Sequence, residues 1–195
     1  MGNLRSVEKA LEKVGAETER TADPERARAA DGLVLPGVGA FPKAMERISE
    51  LGLGELVAER AGEGVPVLGI CLGLQLLFDS SSEGEGAEGI GLLPGTVEPL
   101  AANGLKVPHI GWSPVRWERD AEMTAGLGTE PPFYFVHSFT PVPADASDVL
   151  GTAAYGERFV CAVARDSVFG FQFHPEKSSA AGLALLRNFV SLCDQ

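Results

Sequence analysis

Val65-Pro66-Val67-Leu68-Gly69-Ile70-Cys71-Leu72-Gly73-Leu74-Gln75-Leu76-Leu77-Phe78 is the stretch that decides the fold class. Its first half is an apolar run about as long as a buried strand, and from Leu72 to Phe78 the composition suits a helix. A thiol therefore stands in a strand-to-helix turn of the form Gly-x-Cys-x-Gly. A nucleophile on so sharp an elbow takes strained backbone angles, and the residues two before and two after it crowd together. Gly69 and Gly73 remove the side chains that would clash there. The turn offers Cys71 unpaired amides and the positive end of a helix dipole, which favour a thiolate, and it turns the amide of Leu72 toward any oxyanion formed beside the sulfur. A small buried cysteine in a tight turn is the plainer reading of the same residues.

Upstream of the elbow, Leu4, Val7, Leu11 and Val14 recur at helical spacing with Glu8, Lys9, Glu12 and Lys13 between them, and Gly15 ends the pattern. A short strand is expected over 16–20. Asp23-Pro24 opens a brief helix through 29, and a buried strand over 32–35 runs into Pro36-Gly37-Val38-Gly39-Ala40-Phe41, whose glycines let backbone amides approach a ligand. A helical region follows over 42–60, interrupted near Gly52 and Gly54. This alternation of strand and helix, with loops at the strand ends, is that of an open, mostly parallel α/β sheet.

Downstream, 79–91 is rich in Ser, Glu and Gly and reads as an exposed loop. Strands then crowd together at 96–100, 115–118, 133–136, 149–155, 159–165 and 168–173, several as antiparallel hairpins. A closing helix is expected over 178–192, with Leu183, Leu186 and Val190 on one face and Leu185 and Phe189 broadening it. With 195 residues, no repeat and no linker, the chain is expected to form a single domain over 1–195.

The net charge of -11 argues against nonspecific binding to nucleic acid or anionic membranes. No stretch has the length of a membrane span, and the first residues lack the order of a signal peptide, so a cytoplasmic protein is expected. Cys71, Cys161 and Cys193 are odd in number and widely spaced, which indicates neither a disulfide framework nor a metal site. No cofactor is called for. Gly37-Val38-Gly39 is a poor dinucleotide fingerprint, since Pro42 stands where a third glycine belongs.

A thiol that attacks an amide needs a base and a group that orients the base. Of the three histidines, His174 follows the strand Phe169-Gly170-Phe171-Gln172-Phe173 and so lies at a strand end, as Cys71 does. Pro175 fixes the turn, and Glu176 can reach back to the imidazole. Alone, His174-Pro175-Glu176 is an ordinary surface turn; beside a cysteine elbow it is a base with its orienter. An oxyanion hole could draw one amide from Leu72 and another from the loop at Val38-Gly39. His109 and His137 read as satisfied, partly buried histidines.

Pro36-Gly37-Val38-Gly39, the elbow and His174-Pro175-Glu176, in this order, resemble the motifs of the class I (triad) glutamine amidotransferases. Gly2-Asn3-Leu4-Arg5-Ser6-Val7, Pro108-His109-Ile110-Gly111-Trp112, Phe133-Tyr134-Phe135-Val136-His137-Ser138 and His174-Pro175-Glu176-Lys177-Ser178 narrow the likeness to the glutaminase subunits of imidazole glycerol phosphate synthase. The resemblance implies a flavodoxin-like fold and hydrolysis of glutamine through a Cys71 thioester, with ammonia passed on in histidine biosynthesis. It implies His174 as acid and base and Glu176 as its orienter. It further implies an oxyanion hole from Val38, Gly39 and Leu72, and glutamine binding by Gly37, Gln75, Ser138 and Phe139. The implied partner is a (βα)8-barrel cyclase, met by Asn3, Trp112 and Lys177. Glutaminase for another synthase, a stand-alone cysteine hydrolase and a catalytically silent binding subunit are the alternatives.

Two departures stand out. The family has Asn after Gly-Trp where this chain has Ser113, which puts an interface contact there in question. Members of the family also begin with an apolar strand that this sequence lacks, so Met1 is expected to be an internal methionine of a chain longer by about ten residues, one strand and its loop. The upstream codons test this, since a stop or a polar stretch there would refute it.

Overall fold

The computed structural model describes residues 4–195. Helix α1 (Leu4–Lys13) buries Val7, Ala10 and Leu11, as its periodicity requires. In α2 (Pro24–Arg28) the first turn is capped by Asp23, whose carboxylate accepts from the Glu25 N–H at 3.0 Å. Strand β1 (Leu33–Gly37) is followed by α3 (Phe41–Glu50) and α4 (Leu53–Gly62), which part at Gly52 in the left-handed region, φ 64°. Strand β2 (Val67–Cys71), buried throughout, passes directly into α5 (Leu72–Leu76).

The rest of the chain is mostly strand: β3 (Phe78–Ser81), β4 (Ala87–Glu88), β5 (Leu93–Pro99), β6 (His109–Pro114), β7 (Arg116–Trp117), β8 (Pro132–His137), β9 (Phe139–Pro143), β10 (Val149–Tyr155), β11 (Glu157–Arg165) and β12 (Val168–Phe171). Helix α6 (Ser179–Cys193) closes it. Six strands form the main sheet in the order β1-β2-β12-β11-β10-β7, with a second sheet β4-β3-β5-β9 and a ribbon β6-β8.

Parallel pairing in the main sheet is confined to β1-β2-β12, and its register positions the site. Gly37 lies opposite Cys71, and Phe171 lies opposite Ile70. The carboxyl ends of these three strands are therefore level, and the loop after Gly37, the elbow and the His174 turn leave the sheet along one edge. One apolar cluster holds α1 and α6 against the sheet through Val7, Leu11, Leu185 and Phe189. The other holds α3 and α4 through Phe41 and Val57. With cores on both faces, β2 has no solvent side, and its composition is apolar for that reason.

Several expectations need correction. The parallel part is narrower than a mostly parallel sheet: β10 pairs antiparallel with β7 and β11, and β11 with β12. Residues 16–20 form no strand, having no ladder partner among the described residues. The helix after Cys71 stops at Leu76, because Phe78 already pairs with Leu93 across β3 and β5. The polar stretch 79–91 contains a hairpin rather than a plain loop, with Ser80 and Ser81 opposite Glu88 and Ala87. In α6 the fully buried face is led by Leu185, Leu186 and Phe189, with Leu183 and Val190 only partly buried. No described helix is long and apolar enough to cross a membrane.

Candidate active site

Cys71 has φ 56° and ψ -111°, a conformation an L residue takes only under constraint, and it is nearly buried. Both neighbouring glycines are sterically required. A Cβ on Gly73 would sit 1.6 Å from the Leu35 carbonyl oxygen of β1, and one on Gly69 would sit 2.6 Å from the Leu74 backbone. The elbow thus presses against the adjoining strand and the start of α5, beyond the crowding of the two glycines expected from sequence. Because α5 has only five residues, its dipole is weak, and any stabilisation of a Cys71 thiolate falls to individual donors.

His174 is 2% exposed, and its Nδ1 lies 2.9 Å from Glu176 Oε1. A carboxylate only accepts, so Nδ1 carries the proton and Nε2 is left for the Cys71 sulfur, with which the imidazole also hydrogen-bonds. Burial opposes a charge on His174, but hydrogen bonds to Cys71 and Glu176 outweigh it, and the pKa is pushed up to about 9. The turn is clamped to β8: the His174 N–H donates to the Tyr134 carbonyl at 2.9 Å, and the Ser178 hydroxyl donates to the His174 carbonyl at 2.7 Å. Ser178 Oγ in turn accepts from the Tyr134 N–H at 3.0 Å. Glu176 Oε2 is buried with no hydrogen-bond partner among the described residues.

A cavity of about 620 Å³ opens over the sulfur. Val38, Gly39, Leu72, Gln75, Ser138, Phe139, His174 and Lys177 all contribute to its wall, so the elbow, the loop after β1 and the His174 turn share one space. Gly37 lies behind this wall, where a Cβ would meet Leu72 Cβ at 2.9 Å. Gln75 is not a free arm: its Nε2 donates to the Phe139 carbonyl at 3.2 Å and to Gln172 Oε1 at 3.0 Å. Only its oxygen remains for a ligand.

His109 and His137 are buried, as their default reading expects. His137 Nδ1 is 2.9 Å from the Phe139 carbonyl and must donate to it, so Nε2 accepts from His109 Nδ1 at 3.1 Å. His109 Nε2 then accepts from the Ser113 hydroxyl at 3.1 Å. Burial is the main cause that lowers both pKa values, to about 4 for His137, and the partners named here suit neutral rings. Ser113 is therefore an inward residue of β6, and its side chain offers no surface contact at that position.

Trp112 and Ile110, on the opposite face of β6, are 51% and 60% exposed. Trp112 packs edge-on against Tyr134 at 5.8 Å, and the Lys177 ammonium lies 5.9 Å from the same ring. Trp112, Tyr134 and Lys177 thus share one surface at the cavity mouth. Asn3 lies outside the described residues.

Sequence reasoning missed Gln172, whose Nε2 is 3.6 Å from Cys71 Sγ, and Glu83, which lines the cavity and accepts from the Phe41 N–H at 2.7 Å. The signal for Gln172 was present: it is the one amide in an otherwise apolar run, 169–173, and it is fully buried. Glu83 lay in a stretch whose composition looked like solvent-exposed loop.

The model of the family described as glutamine amidotransferase class-I matches residues 2–193. Over 192 residues the chain is 50% identical to the imidazole glycerol phosphate synthase subunit HisH of Moorella thermoacetica, covering 98% of this chain and 91% of that one. It is 49% identical to the protein of the same name from Salinibacter ruber, again covering 98% and 91%. Among solved structures, one described as a glutamine amidotransferase superposes with a TM-score of 0.78, covering 100% of this chain and 95% of the other at 21% identity, a likeness of fold. With a family match over nearly its whole length and relatives this close, the chain belongs to the class I glutamine amidotransferases, among the HisH subunits of imidazole glycerol phosphate synthase.

Proposed function

We propose that residues 1–195 form one glutaminase domain in which Cys71 attacks the side-chain amide of glutamine. The protein is the glutamine amidotransferase subunit of imidazole glycerol phosphate synthase, serving histidine biosynthesis. The observation that carries the mechanism is the line Cys71, His174, Glu176: a strained thiol hydrogen-bonded to an imidazole whose other nitrogen is held by a buried carboxylate. The thiolate adds to the amide carbon, and the tetrahedral oxyanion is met by the Leu72 amide and the backbone at Val38 and Gly39. His174 gives its proton to the departing nitrogen, ammonia leaves, and a γ-glutamyl thioester remains on Cys71. Water then attacks the thioester with His174 as base, and glutamate departs. The Gln75 oxygen and the Glu83 carboxylate face the cavity where the substrate's α-ammonium is to be held, and the backbone at Ser138 and Phe139 flanks its carboxylate end.

The ammonia passes to a (βα)8-barrel cyclase seated on the face formed by Trp112, Tyr134 and Lys177. Exposed Leu105, Val107 and Ile110 support this, since they leave apolar surface beside the mouth of the cavity. The test is glutamate release by this chain alone, then with the cyclase and its nucleotide ligand, with Cys71→Ala as blank. Low release alone and a large ligand-dependent rise that the variant lacks are expected. No rise with a well-folded sample would assign the chain to a different synthase.

A further inference from the structure

We propose that Gln172 is a positioning residue of the reaction, holding one N–H on the Cys71 sulfur, and that Gln75 and the Phe139 carbonyl lock it in that orientation. The inference rests on the reading of Cys71 as the nucleophile. An amide side chain can present either its oxygen or its nitrogen to a neighbour, and here the choice is forced. The Phe139 carbonyl can only accept, so Gln75 must turn Nε2 toward it, at 3.2 Å. The same Nε2 lies 3.0 Å from the Gln172 side chain, which must therefore answer with its oxygen. Nε2 of Gln172 is then the group left facing Cys71 Sγ, at 3.6 Å.

Three features give this donor a function. First, Gln172 is fully buried, its backbone N–H is tied to the Cys161 carbonyl at 2.9 Å and its side-chain oxygen accepts from Gln75, so the side-chain amide is held away from water. Second, the sulfur also lies 3.7 Å from the Val136 carbonyl, which accepts from a thiol S–H and repels a thiolate. Donors to the sulfur are needed to offset that repulsion when the proton leaves. Third, α5 is too short to supply much dipole, so the donors are His174 and Gln172, two residues apart in the same segment. Gln75 thereby acts twice, offering its oxygen to the cavity and fixing the amide behind it.

The test follows the sulfur directly rather than turnover. Alkylation of Cys71 by iodoacetamide, read by mass spectrometry of its peptide, is measured against pH for the full chain and for Gln172→Met and Gln172→Glu, with thermal melts to verify folding. Loss of the donor is expected to raise the pH midpoint of alkylation by about one unit. In Gln172→Glu, which keeps an acceptor for Gln75, the rise is at least as large, because an ionised carboxylate repels the thiolate. With glutamine and the cyclase, kcat falls about tenfold for the same reason while KM stays near that of the unaltered protein. An unchanged midpoint in both folded variants would overturn the proposal, as would a raised KM at unchanged kcat. Release of glutamate by Cys71→Ala would refute the nucleophile itself, an outcome distinct from either.

Discussion

His174 and His137 stand in the wall of the same cavity and are both nearly buried, yet their surroundings prepare them for opposite charge states. Burial disfavours a charge at each. At His174 this is outweighed by the Cys71 sulfur and the Glu176 carboxylate, and the pKa rises to about 9. At His137 the Phe139 carbonyl offers only a partial charge, and neighbouring His109 and His174 oppose protonation, so the pKa falls to about 4. Burial alone therefore does not set the role of a histidine. The partners of its two nitrogens do: the Cys71 sulfur and the Glu176 carboxylate together favour a charged ring at His174, whereas a carbonyl and a second imidazole make His137 a neutral link in a hydrogen-bond chain.

Replacing the carboxylate should break this contrast most severely. Glu176→Gln is expected to lower kcat about a thousandfold, because the imidazolium loses its counter-charge and an amide, which can present its NH2 as well as its oxygen, no longer fixes the proton on Nδ1. NMR of the imidazole nitrogens should show the His174 midpoint dropping from about 9 toward 6.5. A midpoint that stays put would mean that Cys71 alone holds the charge.

The pH dependence of stability sharpens the contrast, since the two residues contribute slopes of opposite sign. The folded pKa of His174 lies above the unfolded value near 6.5, so its contribution is full below 6.5 and is lost as pH rises through about 9. For His137 the folded pKa lies below 6.5, so the unfolded chain takes up a proton that the folded one refuses, and stability falls as pH drops from 6.5 toward 4. In urea unfolding at stepped pH, His174→Gln should flatten the alkaline limb and His137→Gln the acidic one. A smaller effect is expected at the end of the chain of rings. Ser113→Ala leaves His109 Nε2 without its donor and should cost about 1 kcal/mol, with no change in the alkylation profile of Cys71.

What was legible in the sequence, and what was not, divides along the same lines. The elbow could be read because steric necessity leaves a mark: only glycine fits where Gly73 meets the Leu35 carbonyl, so the residue types report the geometry. The reach of Glu176 to His174 is local, two residues apart, and needed no knowledge of the sheet. Strand β6 was hidden because Gly111 and Pro114 interrupt its propensity, and its pairing with β8 is a long-range event. Strands β3 and β4 were hidden because their polar residues suit a short peripheral ladder as well as a loop. The inward direction of Ser113 depends on the β6-β8 register, and the contact of Gln172 with Cys71 on the pairing of β12 with β2. Neither is encoded within a few residues of the side chain concerned.

The central claim is that the constrained sulfur of Cys71 carries the glutamyl group. Acid-quenched mass spectrometry of the protein, mixed with glutamine in the presence of the cyclase and its ligand, tests it most directly. A γ-glutamyl adduct on the Cys71 peptide is predicted, appearing and decaying with turnover and lasting longer in Glu176→Gln. Glutamate formed with the Cys71 peptide unmodified, or with the adduct on Cys161 or Cys193, would contradict the account.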